Sequence, residues 1–493
     1  MHSFQKISSL ALTSVAAAAL AGCAIVGPDF MRPAAPNVTG YTAEPLPAET
    51  ASADTVGGDA QRFLQDADVP GRWWTLFGSD EITSLVDAAL RNNPDIAAAQ
   101  ASLRQAQQNY LATSGALFPQ VDANASVARQ RSAQTGATFD LLNASVGVSY
   151  LLDIFGGVQR SIEASGATED FQRFQLEATY LALISNVITA AIQEAALSAQ
   201  ITAIQDIIMA QSQALDLLNQ QFELGAVARG DVLAQQSQLA ATQASLPPLQ
   251  RQLAQVRNLL ATLLGSYPQQ AQIPDVQLTD LQLPQELPLS VPSKLVEQRP
   301  DVRASEALLH QASALIGVAT ANQLPQITLS ANVNDNAGAV GDFFNGQFLG
   351  WGVAAGLTAP IFNGGTLEAQ KQASVAGYDR ASAQYRATVL NAFSNVANVL
   401  AALQYDAETL RVQLYAEQTA GQSLEITTER FQAGAIAYLA LLDAQRVYQQ
   451  ARIALVIAQA NRFADTVALF QALGGGWWNR QDNIAQTQTA PAP

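Results

Sequence analysis

Two parts of the chain alternate apolar and polar residues with period two, and two others keep a helical rhythm over unusual lengths. Val121, Ala123, Ala125 and Val127 alternate with Asp122, Asn124, Ser126 and Ala128. Leu142, Ala144, Val146, Val148 and Tyr150 form a return segment. The pattern recurs as Ile327, Leu329, Ala331 and Val333 against Thr328, Ser330, Asn332 and Asn334, followed by Trp351, Val353, Ala355 and Leu357. This spacing predicts two β-hairpins, about 120–152 and about 326–360, whose strands have one apolar and one polar or small face. Residues 158–224 and 366–433 contain no Pro. In the first, Phe174, Leu181, Ile184, Ile188, Ile192 and Leu197 recur mostly three or four apart. A helix of this length spans about 100 Å, more than any compact domain needs.

Proline and glycine divide the chain. Helices are expected over about 94–117 and 300–323, each starting at a Pro suited to a first turn and ending before Pro119 or Pro325. Each long helix ends in a glycine turn, Gly225 to Gly230 or Gly434 to Ala437, and a helix of about 33 residues returns. The return helix and the shorter helix before each hairpin, laid end to end, nearly match the long one.

The punctuation is duplicated. Asn93-Pro94-Asp95 answers Arg299-Pro300-Asp301, and Phe118-Pro119-Gln120 answers Leu324-Pro325-Gln326. Ile154-Phe155-Gly156-Gly157 answers Ile361-Phe362-Asn363-Gly364, and Phe222-Glu223-Leu224-Gly225-Ala226 answers Phe431-Gln432-Ala433-Gly434-Ala435. One offset of about 206 to 209 residues relates them, so the chain reads as two copies of one unit. The expected divisions are a signal peptide (1–22), a lipidated tether (23–70), an equatorial helical region (71–93), repeat 1 (94–265), a linker (266–296), repeat 2 (297–474) and a tail (475–493).

Strands of roughly 10 residues are long enough to cross a bilayer when tilted. Phe139, Tyr150, Phe155, Phe348, Trp351 and Phe362 lie at their ends, where interfacial aromatic girdles belong. Outside the N-terminus no run of 18 apolar residues is seen, so no transmembrane helix is expected. Four strands do not close a barrel, and open edges in lipid would leave backbone groups unpaired. The chain is therefore expected to oligomerise. Two copies give eight strands and three give twelve, and periodicity does not choose between them.

Charge and residue counts remove other functions. The formal net charge of -16 disfavours nucleic acid as a partner. The chain has one Cys and two His, which excludes internal disulfides and Cys/His zinc sites. His310 sits in an ordinary helical pattern, and no convincing acid pair is present, so catalytic residues are not expected. Lys6 followed by the apolar run Leu10 to Leu20 reads as a secretory signal. It ends in Leu20-Ala21-Gly22-Cys23, which looks like a bacterial lipobox, making Cys23 the expected lipidation site. Ala24 follows in place of the aspartate associated with inner-membrane retention.

The chain resembles the outer membrane factor (TolC-like) family, and within it the lipoprotein, NodT-type branch serving RND-type efflux pumps. The residues that carry the match include Val26-Gly27-Pro28-Asp29-Phe30, Trp73-Trp74, Pro300-Asp301-Val302-Arg303, Pro360-Ile361-Phe362-Asn363-Gly364-Gly365 and Tyr438-Leu439-Ala440-Leu441-Leu442-Asp443-Ala444-Gln445-Arg446. The resemblance implies an α+β membrane protein, a homotrimer with a twelve-stranded barrel in the outer membrane and a long periplasmic α-helical barrel. It implies docking to a periplasmic adaptor and an inner-membrane pump, with no cofactor beyond the lipid on Cys23. By the same resemblance Leu439 and Asp443 face the lumen as an apolar constriction and a carboxylate ring, with Arg446 within i,i+3 reach of Asp443. Gly225 and Gly434 mark the adaptor-contact tips. The first tip has Ala234 where the second has Asp443, and Asp231 is shifted in helical phase, so the tips are not equivalent.

Three other readings remain at this level: a non-pore lipid-anchored scaffold, a duct for type I protein secretion and, least supported, a carboxylate-based hydrolase. Three Met in all give no support to a Met-lined copper or silver path. The Trp73-Trp74 pair is expected to pack the tether on the helical body.

Overall fold

The computed structural model describes residues 25–339, 341 and 349–480. Cys23, Phe348 and the signal segment lie outside them. The described chain divides into two compact units, one made of 25–34, 101–174 and 304–387, the other of 35–100, 175–303 and 388–480.

The first unit contains the hairpins. Strands β2 (Gln120–Arg131), β3 (Thr138–Leu152), β5 (Gln326–Ala337) and β6 (Leu349–Thr358) form one antiparallel sheet in the order β2-β3-β5-β6. The remaining strands, β1 (Arg62–Gln65) and β4 (Glu286–Leu289), belong to the second unit. In the first unit the register puts like with like. One row across the four strands reads Val121, Val148, Ala331 and Val353, and the next reads Ala123, Val146, Val333 and Trp351. The opposite face carries rows such as Asn124, Ser145, Asn334 and Gly350. A slip of one residue in any strand would reverse its faces, so the period-two pattern enforces this pairing. Asp335 is the exception: it lies on the apolar face, paired with Ala144 and Leu349, and is buried. Val121, Val127, Trp351, Val353 and Leu357 are largely exposed in the single chain.

Helices make up most of the rest: α1 (Asp80–Asn92), α2 (Pro94–Ser114), α3 (Gly157–Glu223), α4 (Arg229–Leu263), α5 (Pro292–Gln298), α6 (Pro300–Ala321), α7 (Thr366–Gln432) and α8 (Tyr438–Ala472). Helices α3 and α7 each have 67 residues, and α4 and α8 each have 35. Helix α4 continues through Pro247 and Pro248, so proline does not end it there as Pro119 and Pro325 end α2 and α6.

The second unit shows how a short helix abuts a return helix. Asn93 Oδ1 accepts from Asp95 N–H at 2.8 Å and so caps α2, while its Nδ2 donates to the Leu263 carbonyl near the end of α4 at 2.9 Å. Arg299, in the matching place before α6, donates from Nη1 to the Ala472 carbonyl ending α8 at 2.8 Å. The residue before each Pro-Asp pair thus takes up an orphan carbonyl of the partner helix. A Cβ at Gly265 would lie 2.3 Å from the Asn92 carbonyl oxygen, and one at Gly474 would lie 2.7 Å from that of Gln298. Only glycine allows this approach.

Three expectations are corrected. The tether is not merely an extended wrap, because β1 pairs in parallel with β4. Its neighbour Gln61 is buried and donates to the Pro284 carbonyl and Thr466 Oγ1, both at 2.9 Å. The tail does not begin at 475: Trp477 Nε1 donates to the Gln298 carbonyl at 2.7 Å, and Arg480 pairs with Glu177. Two helices, α3 and α8, also contain 18-residue windows apolar enough to cross a membrane. Alanine spread among polar residues raises the average without forming a continuous run, and 67% of the α3 window is buried, as in a core helix.

The pair Trp73 and Trp74 is buried as expected. Trp73 stacks on Phe470 at 5.0 Å and meets Trp74 and Phe77 edge-on. Nearby, the fully buried Arg462 donates to the Leu403 carbonyl at 2.9 Å and to Thr50 Oγ1 at 3.2 Å, tying the N-terminal wrap to α7 and α8. Burial, then the adjacent Asp406, push the Asp465 carboxyl up to about 7 against the opposing effect of Arg462. For an acid with a raised folded pKa, the stabilisation is full below its ordinary value of 3.8 and is lost as pH rises through about 7. The melting-temperature difference between the parent and Asp465→Asn should therefore shift between pH 4 and pH 8, with the parent losing ground. A pH-independent difference would contradict this.

Candidate functional site

The ends of the long helices are built by backbone chemistry. After α3, Gly225 adopts φ 73° while its N–H donates to the Phe222 carbonyl at 2.9 Å and Ala226 N–H donates to that of Gln221 at 2.8 Å. After α7, Gly434 adopts φ 68°, with Gly434 N–H on Phe431 at 2.9 Å and Ala435 N–H on Arg430 at 2.9 Å. Both are Schellman motifs, in which the left-handed residue satisfies the helix's last carbonyls. Nothing lies within 4 Å of a Cβ built at either position, so the backbone angle alone requires glycine. The chain then re-enters a helix differently at each tip. At α4, Asp231 Oδ2 accepts from Ala228 N–H at 3.2 Å, while at α8 the corresponding Ala440 offers no such cap.

A small core fixes the tips. Leu218 of α3, Val232 of α4, and Tyr438 and Leu441 of α8 are buried together, with Phe431 and Leu424 of α7 packed against them. The Tyr438 hydroxyl donates to Gln235 Oε1 at 2.5 Å, and Gln235 Nε2 donates to the Gln211 carbonyl at 2.7 Å. Burial pushes the Tyr438 phenol up, so it stays protonated and donates. The motif around Tyr438 carries no mark of this link, whose partner is 203 residues away.

Helix α8 turns two faces in different directions. At about 100° per residue, Leu439, Asp443 and Arg446 fall within about 60° of one another, with Leu441 roughly opposite and Tyr438 and Gln445 about 80° or more away round the helix. Leu439 is 75% exposed, an unusual position for leucine beside a buried seam. Asp443 Oδ1 and Arg446 Nη2 are 2.6 Å apart, with both side chains more than half exposed. In water such a pair contributes only about 0.3–0.5 kcal/mol, too little to explain the tip's architecture. The structure thus brings Leu439, Asp443 and Arg446 onto one open face, while Gly225 and Gly434 form turns at the ends of α3 and α7.

In the first unit, the residues after the expected lipidation site are held firmly. Val26 N–H donates to the Phe155 carbonyl at 3.0 Å, just beyond β3. The buried Arg160 of α3 donates to the Val26 carbonyl at 3.1 Å and pairs with Asp29 and Glu163, each at 2.7 Å. A Cβ on Gly27 would approach Gly317 Cα of α6 to 2.4 Å, so the strap lies directly on that helix. Phe30 stacks on His310 at 4.3 Å, and His310 Nε2 lies 2.8 Å from Glu163 Oε1. His310 is therefore more than a plain helix residue: it joins the strap to α3. Among the described residues no group of three or more His, Cys, Asp and Glu side chains could hold a metal ion.

Comparison with known proteins places these features in context. A family model described as outer membrane efflux protein matches residues 85–266 and 291–475. The pyoverdine export outer membrane protein OpmQ of Pseudomonas putida is 32% identical over 423 residues, covering 82% of this chain and 88% of the relative. The solved structure of the outer-membrane channel OprN superposes with a TM-score of 0.81 at 26% identity, covering 92% of this chain and 99% of that one. The open state of the MtrE outer membrane channel of Neisseria gonorrhoeae superposes with a TM-score of 0.78, also at 26% identity, with 92% and 98% coverage.

Proposed function

This chain belongs to the outer membrane efflux protein family, and from that premise we propose how it serves as a passive efflux channel of the outer membrane. The sheet carries the proposal. Its order leaves β2 and β6 as edges, and its apolar face is uncovered in one chain. In lipid an open edge leaves unpaired N–H and C=O groups, each costing several kcal/mol, and four strands are half the smallest barrel. Three copies joined edge to edge give a twelve-stranded barrel with the Val121–Val353 rows toward lipid and the Asn124–Asn334 rows toward water.

The helices continue the duct into the periplasm. At about 1.5 Å per residue, α3 and α7 each reach about 100 Å, a length that suits a wall crossing that compartment. Leu439 and Asp443 face the axis at the periplasmic end, where three leucines close the bore sterically and by dewetting, and three carboxylates attract cations and repel one another. The glycine turns at 225 and 434 present the surface that a periplasmic adaptor meets, with an inner-membrane pump of the RND type beyond it. Transport is driven by the pump, and this chain, which is not an enzyme, conducts.

Cys23 carries the lipid. The strap supports this reading, since three residues from Cys23 to Val26 span at most about 11 Å, and Val26 is bonded at the end of β3. An acyl group on Cys23 thus reaches the level at which the strands leave the membrane.

The test is assembly and conductance together. The purified lipoprotein in mild detergent should have about three times the mass of one chain and should conduct ions in a planar bilayer. A stable monomer that passes no current would overturn the proposal.

A further inference from the structure

In the first unit the helices stand side by side in the order α2-α3-α6-α7, which is the order of the strands. A Cβ on Gly166 of α3 would lie 3.4 Å from the Tyr110 ring of α2, and one on Gly317 of α6 would lie 2.7 Å from Arg160 Cγ of α3. Gln323 Nε2, just after α6, donates to Glu368 Oε2 of α7 at 3.0 Å. Helix α6 is thus flanked on both sides, whereas α2 and α7 end the row among the described residues, as β2 and β6 end the sheet. Leu111 of α2 is 58% exposed, and nothing lies within 4 Å of a Cβ built at Gly115, in the turn that ends that helix.

The internal repeat identifies what belongs on this open side. Pro94 and Pro119 answer Pro300 and Pro325, aligning α2 with α6 residue for residue, and Gly157 and Thr366 both open their helices, aligning α3 with α7. Three contacts hold α6 on α3. A Cβ at Gly157 would lie 2.8 Å from Ala321 Cβ, Gly317 lies against Arg160, and His310 Nε2 is 2.8 Å from Glu163 Oε1. The answering residues are Thr366 with Gly115, Ala369 with Leu111, and Gln372 with Arg104. In the first two pairs the small and the large partner have changed sides, so each joint still sets a larger side chain over a smaller residue, as close packing requires. The third replaces an imidazole beside a carboxylate with a guanidinium that can donate to an amide oxygen. Arg104, Leu111, Thr366, Ala369 and Gln372 are all exposed in the single chain.

We propose that α2 of one copy packs against the first turns of α7 of the next, in the register Gly115–Thr366, Leu111–Ala369 and Arg104–Gln372. The assignment rests on the edge-to-edge assembly proposed above and adds to it a helical joint with named partners. Different surfaces meet at this joint, so it runs head to tail and can close a ring of copies. It also takes the Leu111 side chain out of water.

Two cysteine pairs test the register on the full chain in mild detergent. Leu111→Cys with Ala369→Cys should link most chains on oxidation with copper phenanthroline, giving bands of two and three chain masses that reduction abolishes. Each single variant should give neither band. Leu111→Cys with Asp379→Cys, about 15 Å further along α7, should not link. A three-chain mass by light scattering with no link, an equal link from the Asp379 pair, or a link confined within one chain would overturn the joint and leave the assembly reading standing. A one-chain mass for the parent would overturn both. Gly115→Trp supplies a second measurement, because the side chain has room in the single chain but overfills the joint. Its assembly should come apart in dodecyl sulfate at a lower temperature than the parent's, with helical content unchanged. Equal resistance would overturn the joint, and this comparison decides if the paired cysteines prevent folding.

Discussion

Reconstituted in a planar bilayer, a chain carrying Leu439→Gly with Asp443→Ala should pass several times the current of the parent. Leu439 stands exposed on α8 beside Asp443 and Arg446, and the Asp443–Arg446 pair adds too little stability to account for a leucine left in the open. If that face lines the bore, removing three isobutyl groups widens and wets its narrowest section, and removing three carboxylates changes the sign of the field there. Arg446 then loses its partner, so Asp443→Ala alone should move the reversal potential in a salt gradient toward anions. Unchanged conductance and reversal potential would return the pair to an ordinary surface contact and remove the gate assignment.

Replacing Cys23 with serine should abolish incorporation of labelled palmitate altogether. Acylation of a lipobox proceeds through the cysteine sulfur, and a hydroxyl is a much weaker nucleophile than a thiolate at neutral pH. The substitution should leave the fold nearly untouched, because Val26, Asp29 and Phe30 are held by Phe155, Arg160 and His310 without help from a lipid. Label retained by the serine variant would refute the anchor.

Much of the fold was legible because the sequence repeats strong signals. Period-two alternation located all four long strands, and Pro119 and Pro325 set the start of β2 and β5 to within a residue, while β3 and β6 begin four and two residues before the alternation at Leu142 and Trp351. The long helices were expected at 158–224 and 366–433 and are found at Gly157–Glu223 and Thr366–Gln432. What escaped was short or distant. A four-residue strand such as β1 completes only two alternations, too few to stand out from a Pro- and Ala-rich segment, and its parallel partner lies more than 200 residues on. The packing of Trp477 on Gln298 left no periodic mark at all. The tip was legible in its glycines, whose left-handed angles follow from their place after a helix. The tyrosine that locks the tip was not, because the residues that bury Tyr438 and the Gln235 that accepts its hydroxyl lie on other helices.

Asn93 and Arg299 each splice one helix onto the end of another with a single side-chain hydrogen bond to a terminal carbonyl. A wall strip assembled this way has a seam in its covalent path, whereas its unbroken neighbours α3 and α7 must bend as single rods. Strain along the strip can be taken up at the seam, where no peptide bond crosses, with no helical turn unwound.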